Sequence, residues 1–204
     1  GFAYEFAGPA INALSMEERM TICNMSIEGG ARCGYINPDE KTFSYIKNKL
    51  CAPKNEHWEK ALTWWKSLKS DENSIYDDVI KIDASKIEPT VTWGITPGQS
   101  IGINQQIPLL DELSPNDKLV AEEAYEYMSF NPGQSIKNVP VDVCFIGSCT
   151  NGRISDLRIA AKVLKDKKVS KNVKAFVVPG SEKVANKAKQ EGLDQIFKDS
   201  GFQW

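Results

Sequence analysis

The clearest hydrophobic pattern lies in the second half of the chain, where short apolar runs alternate with amphipathic stretches. The runs at residues 139–146 and 173–178 predict strands, and residues 116–128, 153–165 and 181–190 have the apolar spacing of helices. Strands that alternate with helices in this way are typical of βαβ units and a parallel sheet. Because the first run is almost continuously apolar, we expect its strand to be buried on both faces.

The first half of the chain is richer in helix signals. Ser15 and Glu18 form the pattern of a capping box, and we expect the helix that they start to continue as far as Arg32. Asn24 and Glu28, four residues apart, should then leave the same face of that helix. The two glycines after Glu28 would let a cofactor or another backbone come close. A solvated carboxylate without a role is the competing interpretation of Glu28.

Between these halves the pattern becomes strand-like and then irregular. Residues 79–82 and 91–93 predict strands, and residues 97–115 follow with a Pro-Gly turn signal and a loose pattern. We therefore interpret residues 97–115 as a linker. On this interpretation residues 1–96 belong to one domain and residues 116–204 to a second domain.

Composition narrows the classes of function. The 204 residues carry a formal net charge of -2, which leaves no basic surface of the kind that binds nucleic acid. No apolar run approaches the ~20 residues needed to span a bilayer, and no signal-peptide pattern opens the chain. The five cysteines include no C-x-x-C pair, so a disulfide framework is disfavoured and a reducing cytosol is favoured.

Cys149 is the cysteine most suited to chemistry. Gly147 ends the apolar run and a helix begins near Arg153, with Asn151 or Ser155 as its expected cap, so Cys149 should lie in a tight loop at a helix N-terminus. Such a position favours a thiolate. It also lies at the carboxyl end of a predicted parallel strand, where α/β sheets bind ligands.

The spacing alone leaves three roles open for this cysteine. As a nucleophile it would need a base, and the sole histidine of the chain, His57, lies in the other predicted domain. It can equally be a structural cysteine without a chemical role. As a metal ligand it would be incomplete by itself, because iron–sulfur clusters need three or four thiolates.

Two sequence blocks resemble the aconitase superfamily. The octapeptide FIGSCTNG (residues 145–152) is similar to its first iron–sulfur signature, and CNMSIEGGA (residues 23–31) is similar to its other recurrent block. Both blocks in this order, ~120 residues apart, are a stronger signal than either one alone. Further segments resemble the branch of this superfamily formed by 3-isopropylmalate dehydratase large subunits; they are residues 14–20, 36–43, 91–94 and 178–181.

The resemblance implies an aconitase-like α/β fold, with parallel sheets flanked by helices in two partial three-layer α/β/α domains. It also implies a [4Fe–4S] cluster held by three cysteines, with one iron left open as a Lewis acid. Carried over residue by residue, Cys149 would be the first cluster ligand. Glu28 would be the catalytic carboxylate that handles protons of the departing water, and Asn24 would bind substrate in the same site.

The activity implied by the resemblance is that of a hydro-lyase in leucine biosynthesis. It would convert 2-isopropylmalate, a small 2-hydroxy acid, to 3-isopropylmalate by dehydration and rehydration. Its partner would be a separate small subunit with a swivelling domain, and it would act in the cytoplasm without nucleic acid or membrane. Homoaconitase or aconitase activity, and a fragment that acts only as an interaction scaffold, are the alternatives.

The chain also departs from the family pattern. The other two ligand cysteines form a C-x-x-C block in the family, which we expect beyond Trp204, and the early Asp/His segments are expected before Gly1. The chain would then hold the latter part of one domain and the start of the next. We expect it to be cluster-free and inactive alone. The remaining cysteines match no ligand position and are interpreted as core or incidental residues; they are Cys23, Cys33, Cys51 and Cys144.

Overall fold

The computed structural model of this chain describes residues 1–147 and 150–204. Its contacts divide them into two compact units, one formed by residues 1–79 with 142–204 and the other by residues 80–141. The elements before residue 80 are β1 (Phe2–Glu5), α1 (Pro9–Ala13), α2 (Met16–Met25), β2 (Ala31–Tyr35), α3 (Glu40–Lys47) and α4 (Glu56–Lys66). Those of the second unit are β3 (Thr90–Thr92), β4 (Ser100–Gly102) and α5 (Pro115–Met128). The elements after residue 141 are β5 (Val143–Gly147), α6 (Ile154–Leu164), β6 (Lys174–Val178), α7 (Glu182–Gln190), α8 (Leu193–Ser200) and β7 (Phe202–Gln203).

The start of the first unit is a βαβ arrangement in which β1 pairs in parallel with β2. The predicted capping box at the start of α2 is confirmed: the Ser15 N–H donates to the Glu18 carboxylate at 2.7 Å, and the Glu18 N–H donates to Ser15 Oγ at 3.3 Å. The predicted extension of this helix to Arg32 is wrong, because α2 ends at Met25 and a turn leads into β2. Residues 31–35 form a strand instead, since their backbone pairs with β1.

Gly34 shows how closely β2 packs on α2. A Cβ atom at this position would lie 2.3 Å from Ser26 Oγ and 2.8 Å from the Cα atom of Cys23. Only glycine fits such an approach without a shift of the backbone. The strand that follows the turn is therefore fitted to the end of the helix before it.

The C-terminal part of the first unit is a three-stranded parallel sheet in the order β5-β6-β7. Helices α6, α7 and α8 pack on one face of this sheet, around fully buried Leu157 and Phe197. Cys144 and Ile146 of β5 face that core. This parallel sheet and the one formed by β1 and β2, with their flanking helices, confirm the predicted α/β class.

The expectation that β5 is buried on both faces is wrong. Val143 and Phe145 point to the opposite face of the sheet and are 56% and 59% exposed. The reason is the direction of the connections. Crossovers between parallel strands are right-handed. Because β5, β6 and β7 follow one another in a single direction across the sheet, both crossovers place their helices on the same face.

The second unit contains the antiparallel pair β3–β4 and helix α5 around its own core. Trp93 stacks on Tyr125 at a ring-centroid distance of 5.1 Å. Residues 97–115, interpreted above as a linker, contribute β4 and the buried side chain of Ile107 to this core. The strand predicted at residues 79–82 is not formed, and no partner strand pairs with it in the described part of the chain. The correspondence of these units to the domains of a longer protein stays a prediction.

Within the described ranges, no helix combines the length and the apolar composition needed to cross a membrane.

Candidate functional site

The end of α2 and the segment of residues 150–153, which comes after β5 in the chain, lie together in the first unit. The Thr150 hydroxyl donates to Asn24 Oδ1 at 2.6 Å, and Thr21 Oγ1 lies 2.9 Å from Asn151 Oδ1. These contacts join residues that are 126 and 130 positions apart along the chain. The two sequence blocks singled out above are therefore neighbours in space.

Arg153 provides a further contact between the same two segments. Its Nη1 atom donates to the Glu17 carbonyl oxygen at 3.1 Å and to Thr21 Oγ1 at 3.2 Å. The Thr21 hydroxyl accepts from Arg153 and donates its one proton either to the Glu17 carbonyl or to Asn151, which lie at 3.1 and 2.9 Å. Three side chains after β5 thus contact α2, and two of them meet at Thr21.

The local sequence explains how the chain leaves β5 and starts α6. Gly147 has a φ of +149°, and a Cβ atom there would lie 2.4 Å from the Val178 carbonyl oxygen, so glycine is required. The N–H of Arg153, the N-cap of α6, donates to Asp156 at 2.9 Å. The expected cap by Asn151 or Ser155 is wrong, because the N-cap position falls on Arg153, and the Asp156 carboxylate satisfies the backbone N–H of that residue.

The structure places the sequence-predicted site residues as follows. Asn24 lies in the last turn of α2, exposed, with its carboxamide bonded to Thr150. Glu28 is exposed in the turn between α2 and β2, so the expectation that it shares a helix face with Asn24 is wrong. Cys149 lies outside the described residues. The roles assigned to these three residues stay predictions.

The other cysteines do not assemble into a metal site. Burial, and to a smaller extent the neighbouring Cys33, raises the pKa of the Cys23 thiol, which disfavours the thiolate that metals bind. Cys33 and Cys51 are exposed, and Cys144 packs against the core of the β5–β7 sheet. In residues 1–147 and 150–204, no group of three or more His, Cys, Asp or Glu side chains could hold a metal ion. The described residues therefore do not fit a [4Fe–4S] cluster by themselves.

His57, the base considered for a nucleophilic Cys149, is exposed in the first turn of α4. It belongs to the same compact unit as Thr150.

A cavity of about 290 Å³ adjoins the contact between α2 and the segment after β5. Glu17, Glu18 and Asp156 are among the residues that line it, together with Thr21 and Asn151. Hydrogen bonds from Ser15 lower the pKa of Glu18, which keeps that carboxylate charged. Three carboxylates disfavour an anionic ligand in this cavity, so we place the candidate site at the contact of Asn24 with Thr150, neither of which lines the cavity.

Sequence reasoning missed Thr21, Thr150 and Arg153. Thr150 stands next to the predicted cysteine, and this proximity was a usable signal. Thr21 and Arg153 gave none, since their contacts depend on how α2 packs against a segment more than 120 residues later.

Comparison with known proteins identifies the family of this chain. A model of the aconitase family (aconitate hydratase) matches residues 1–204. The chain therefore belongs to the aconitase family.

Among curated proteins the chain is similar to 3-isopropylmalate dehydratase large subunits. It is 90% identical over 204 residues to those of Prochlorococcus marinus strains AS9601 and MIT 9215, and 63% identical to that of strain MIT 9211. Each match includes the whole of this chain but only 44%, 44% and 43% of the relative. The chain thus spans less than half the length of these relatives.

Proposed function

We propose that the protein to which this chain belongs is a hydro-lyase that isomerises 2-isopropylmalate to 3-isopropylmalate by dehydration and rehydration. The observation that carries this proposal is the 90% identity to 3-isopropylmalate dehydratase large subunits over all 204 residues. The contact between Thr150 and Asn24 supports it, because it brings the two family blocks together.

Within this function we assign two roles at the end of α2. Asn24 binds the substrate through its carboxamide, a group that can donate hydrogen bonds to carboxylate oxygens and can donate to or accept from hydroxyl groups. Glu28 is the general acid and base for the departing and returning water. Its exposure suits this role, since the Glu28 side chain is open to a ligand.

We assign Cys149 as one ligand of a [4Fe–4S] cluster in the whole protein. Such a cluster supplies an open iron that acts as a Lewis acid. The described residues contain no group of three or more metal-binding side chains, and we propose that the remaining ligand cysteines lie in parts of the relatives that this chain does not match. The 204-residue chain taken alone should then be cluster-free and inactive.

We further propose that the whole protein works in leucine biosynthesis in the cytoplasm, together with a small subunit. The relatives are named as large subunits, which supports a second subunit. The five cysteines of the chain include no C-x-x-C pair, which disfavours a disulfide framework and so supports a reducing compartment.

Anaerobic reconstitution with iron and sulfide tests the proposal. The whole protein with its small subunit should gain a broad absorbance near ~400 nm and convert isopropylmalate, whereas the 204-residue chain should do neither. Turnover of homocitrate or citrate in place of isopropylmalate would move the assignment to another member of the family. An active cluster on the short chain would refute the assignment of the missing ligands.

Two substitutions in the whole protein test the residue roles. Cys149→Ser should abolish both absorbance and turnover, while Cys51→Ser, at an exposed cysteine, should leave both unchanged. Glu28→Gln should lower kcat about 100-fold or more, as expected for loss of a general acid–base group, whereas Glu59→Gln on α4 should have no effect. Full turnover in Cys149→Ser or Glu28→Gln would contradict the corresponding role.

A further inference from the structure

We propose that Thr150 is a positioning residue for Asn24, and that Arg153 and Asn151 hold the segment carrying Thr150 on α2. This inference rests on the proposed function, because it concerns how Asn24 is presented to a substrate. It assigns roles to Thr150 and Arg153, for which sequence reasoning gave none, and to Asn151, which sequence reasoning considered only as a helix cap.

The first step of the argument is the orientation of the Asn24 carboxamide. Thr150 donates to Asn24 Oδ1 at 2.6 Å, at the short end of the range for O–H···O hydrogen bonds. A carboxamide has one acceptor oxygen and one NH₂ group with two donors. With its oxygen held by Thr150, Asn24 offers N–H donors to a ligand, and donors are what a carboxylate requires.

The second step is the exposure of Asn24. An exposed side chain in the last turn of a helix is free to change rotamer, and ordering it costs conformational entropy. The hydrogen bond from Thr150 selects one orientation before a ligand arrives. Binding then pays less of that entropy, which is the general benefit of a preorganised site.

The third step is the way in which Thr150 is itself held. On α2 the contacted residues are Glu17, Thr21 and Asn24, with spacings of four and three, so they share one helix face. Arg153, Asn151 and Thr150 contact these positions in that order. The segment therefore runs along about two turns of α2, and a shift by one residue would break every contact.

The test uses substitutions in the whole protein with its small subunit. Thr150→Val keeps the shape but removes the donor, and kcat/KM should fall about tenfold, as for loss of one oriented hydrogen bond. Thr150→Ser keeps the hydroxyl and should restore most of the activity. Thr63→Val is the matched control, because the Thr63 hydroxyl donates to the Glu59 carbonyl oxygen at 2.9 Å on α4.

A double substitution separates positioning from general stability. If Thr150 acts through Asn24, then Asn24→Ala with Thr150→Val should be no less active than Asn24→Ala alone. Fully multiplicative losses, or wild-type kcat/KM in Thr150→Val, would overturn the proposal.

A second readout does not depend on activity. In the 204-residue chain, the side-chain NH₂ resonances of Asn24 should shift in NMR spectra on Thr150→Val and stay in place on Thr63→Val. If the whole protein fails to convert isopropylmalate but this shift is seen, the proposed function is wrong and the positioning contact stands. Unchanged Asn24 resonances in Thr150→Val would refute the positioning role itself.

Discussion

The pairing of Arg19 with Asp39 leads to a prediction about stability. Arg19 of α2 is only 3% exposed, whereas the side chain of Asp39, the N-cap of α3, is 39% exposed. The guanidinium donates to both carboxylate oxygens, at 2.8 and 2.7 Å. Because one partner is buried and the other is not, removing each of them should have a different cost.

Asp39→Asn should be the more damaging substitution. It keeps an oxygen for the cap of α3 but leaves the Arg19 charge buried without a counter-charge, which costs about 3 to 5 kcal/mol in comparable pairs.

Arg19→Met should cost less, because it leaves the Asp39 carboxylate within reach of water. Asp39 has its pKa lowered from 3.8 to about 2, mainly by the hydrogen bonds from Arg19. A shift of that size corresponds to about 2.5 kcal/mol, and the exposure of Asp39 reduces this to about 1 to 2 kcal/mol.

The same pair predicts a pH dependence with a definite sign. The folded-state pKa of Asp39 is depressed, so its contribution is complete above the ordinary value of 3.8 and is lost as the pH falls toward about 2. The difference in unfolding free energy between wild type and Arg19→Met should therefore be full at about pH 6 and shrink below about pH 4.

Urea unfolding followed by tryptophan fluorescence measures these differences. Trp65 is a suitable reporter, because it stacks on Phe43 of α3, the helix that Asp39 caps. Lys66→Met is the control, since Lys66 and Glu40 form an exposed pair at 3.4 Å that should contribute less than about 1 kcal/mol. A larger cost for Arg19→Met than for Asp39→Asn, or a pH-independent difference, would refute the reasoning.

Three further predictions concern the C-terminal part of the first unit. Gly147→Ala should lower the free energy of unfolding by about 2 to 4 kcal/mol in urea titrations, because its Cβ meets the Val178 carbonyl at a positive φ; a neutral effect would contradict the required glycine. Phe197→Ala should cost about 3 to 5 kcal/mol in the same assay, since Phe197 is fully buried, and a cost under ~1 kcal/mol would argue against that packing. Arg158→Ala should raise the pKa of Glu191 from about 2 toward 4.5 in an NMR titration, because the bidentate hydrogen bonds at 2.7 Å are lost; an unchanged pKa would show that the pair is not formed in solution.

Local patterns were sufficient for much of the second half of the chain. Helices α5, α6 and α7 and strand β6 lie where the periodicity predicted them, and β5 overlaps its predicted range but begins later, at Val143. The reason is that hydrophobic period and capping are properties of neighbouring residues. The same holds for the capping box at Ser15, which needs only a hydroxyl and a carboxylate three residues apart.

The incorrect predictions share one physical cause: the interaction that overrode the local pattern came from residues distant in the sequence. Helix α2 ends at Met25 because Ala31 and the residues after it pair with β1. Phe145 is exposed because the two crossovers, from β5 to β6 and from β6 to β7, placed their helices on the other face of its sheet. Neither pairing partners nor crossover direction can be recognised in a local window of sequence.

In the candidate site, too, the sequence alone identified the residues, and the tertiary structure decided their contacts. Asn24, Glu28 and Cys149 were selected from their blocks, because residue type and family pattern are visible in the letters of the chain. The contact of Asn24 with Thr150 was visible only in the folded molecule, where α2 meets a segment 126 residues later. A hydrogen bond depends on distance and direction in space, and packing of distant segments sets both.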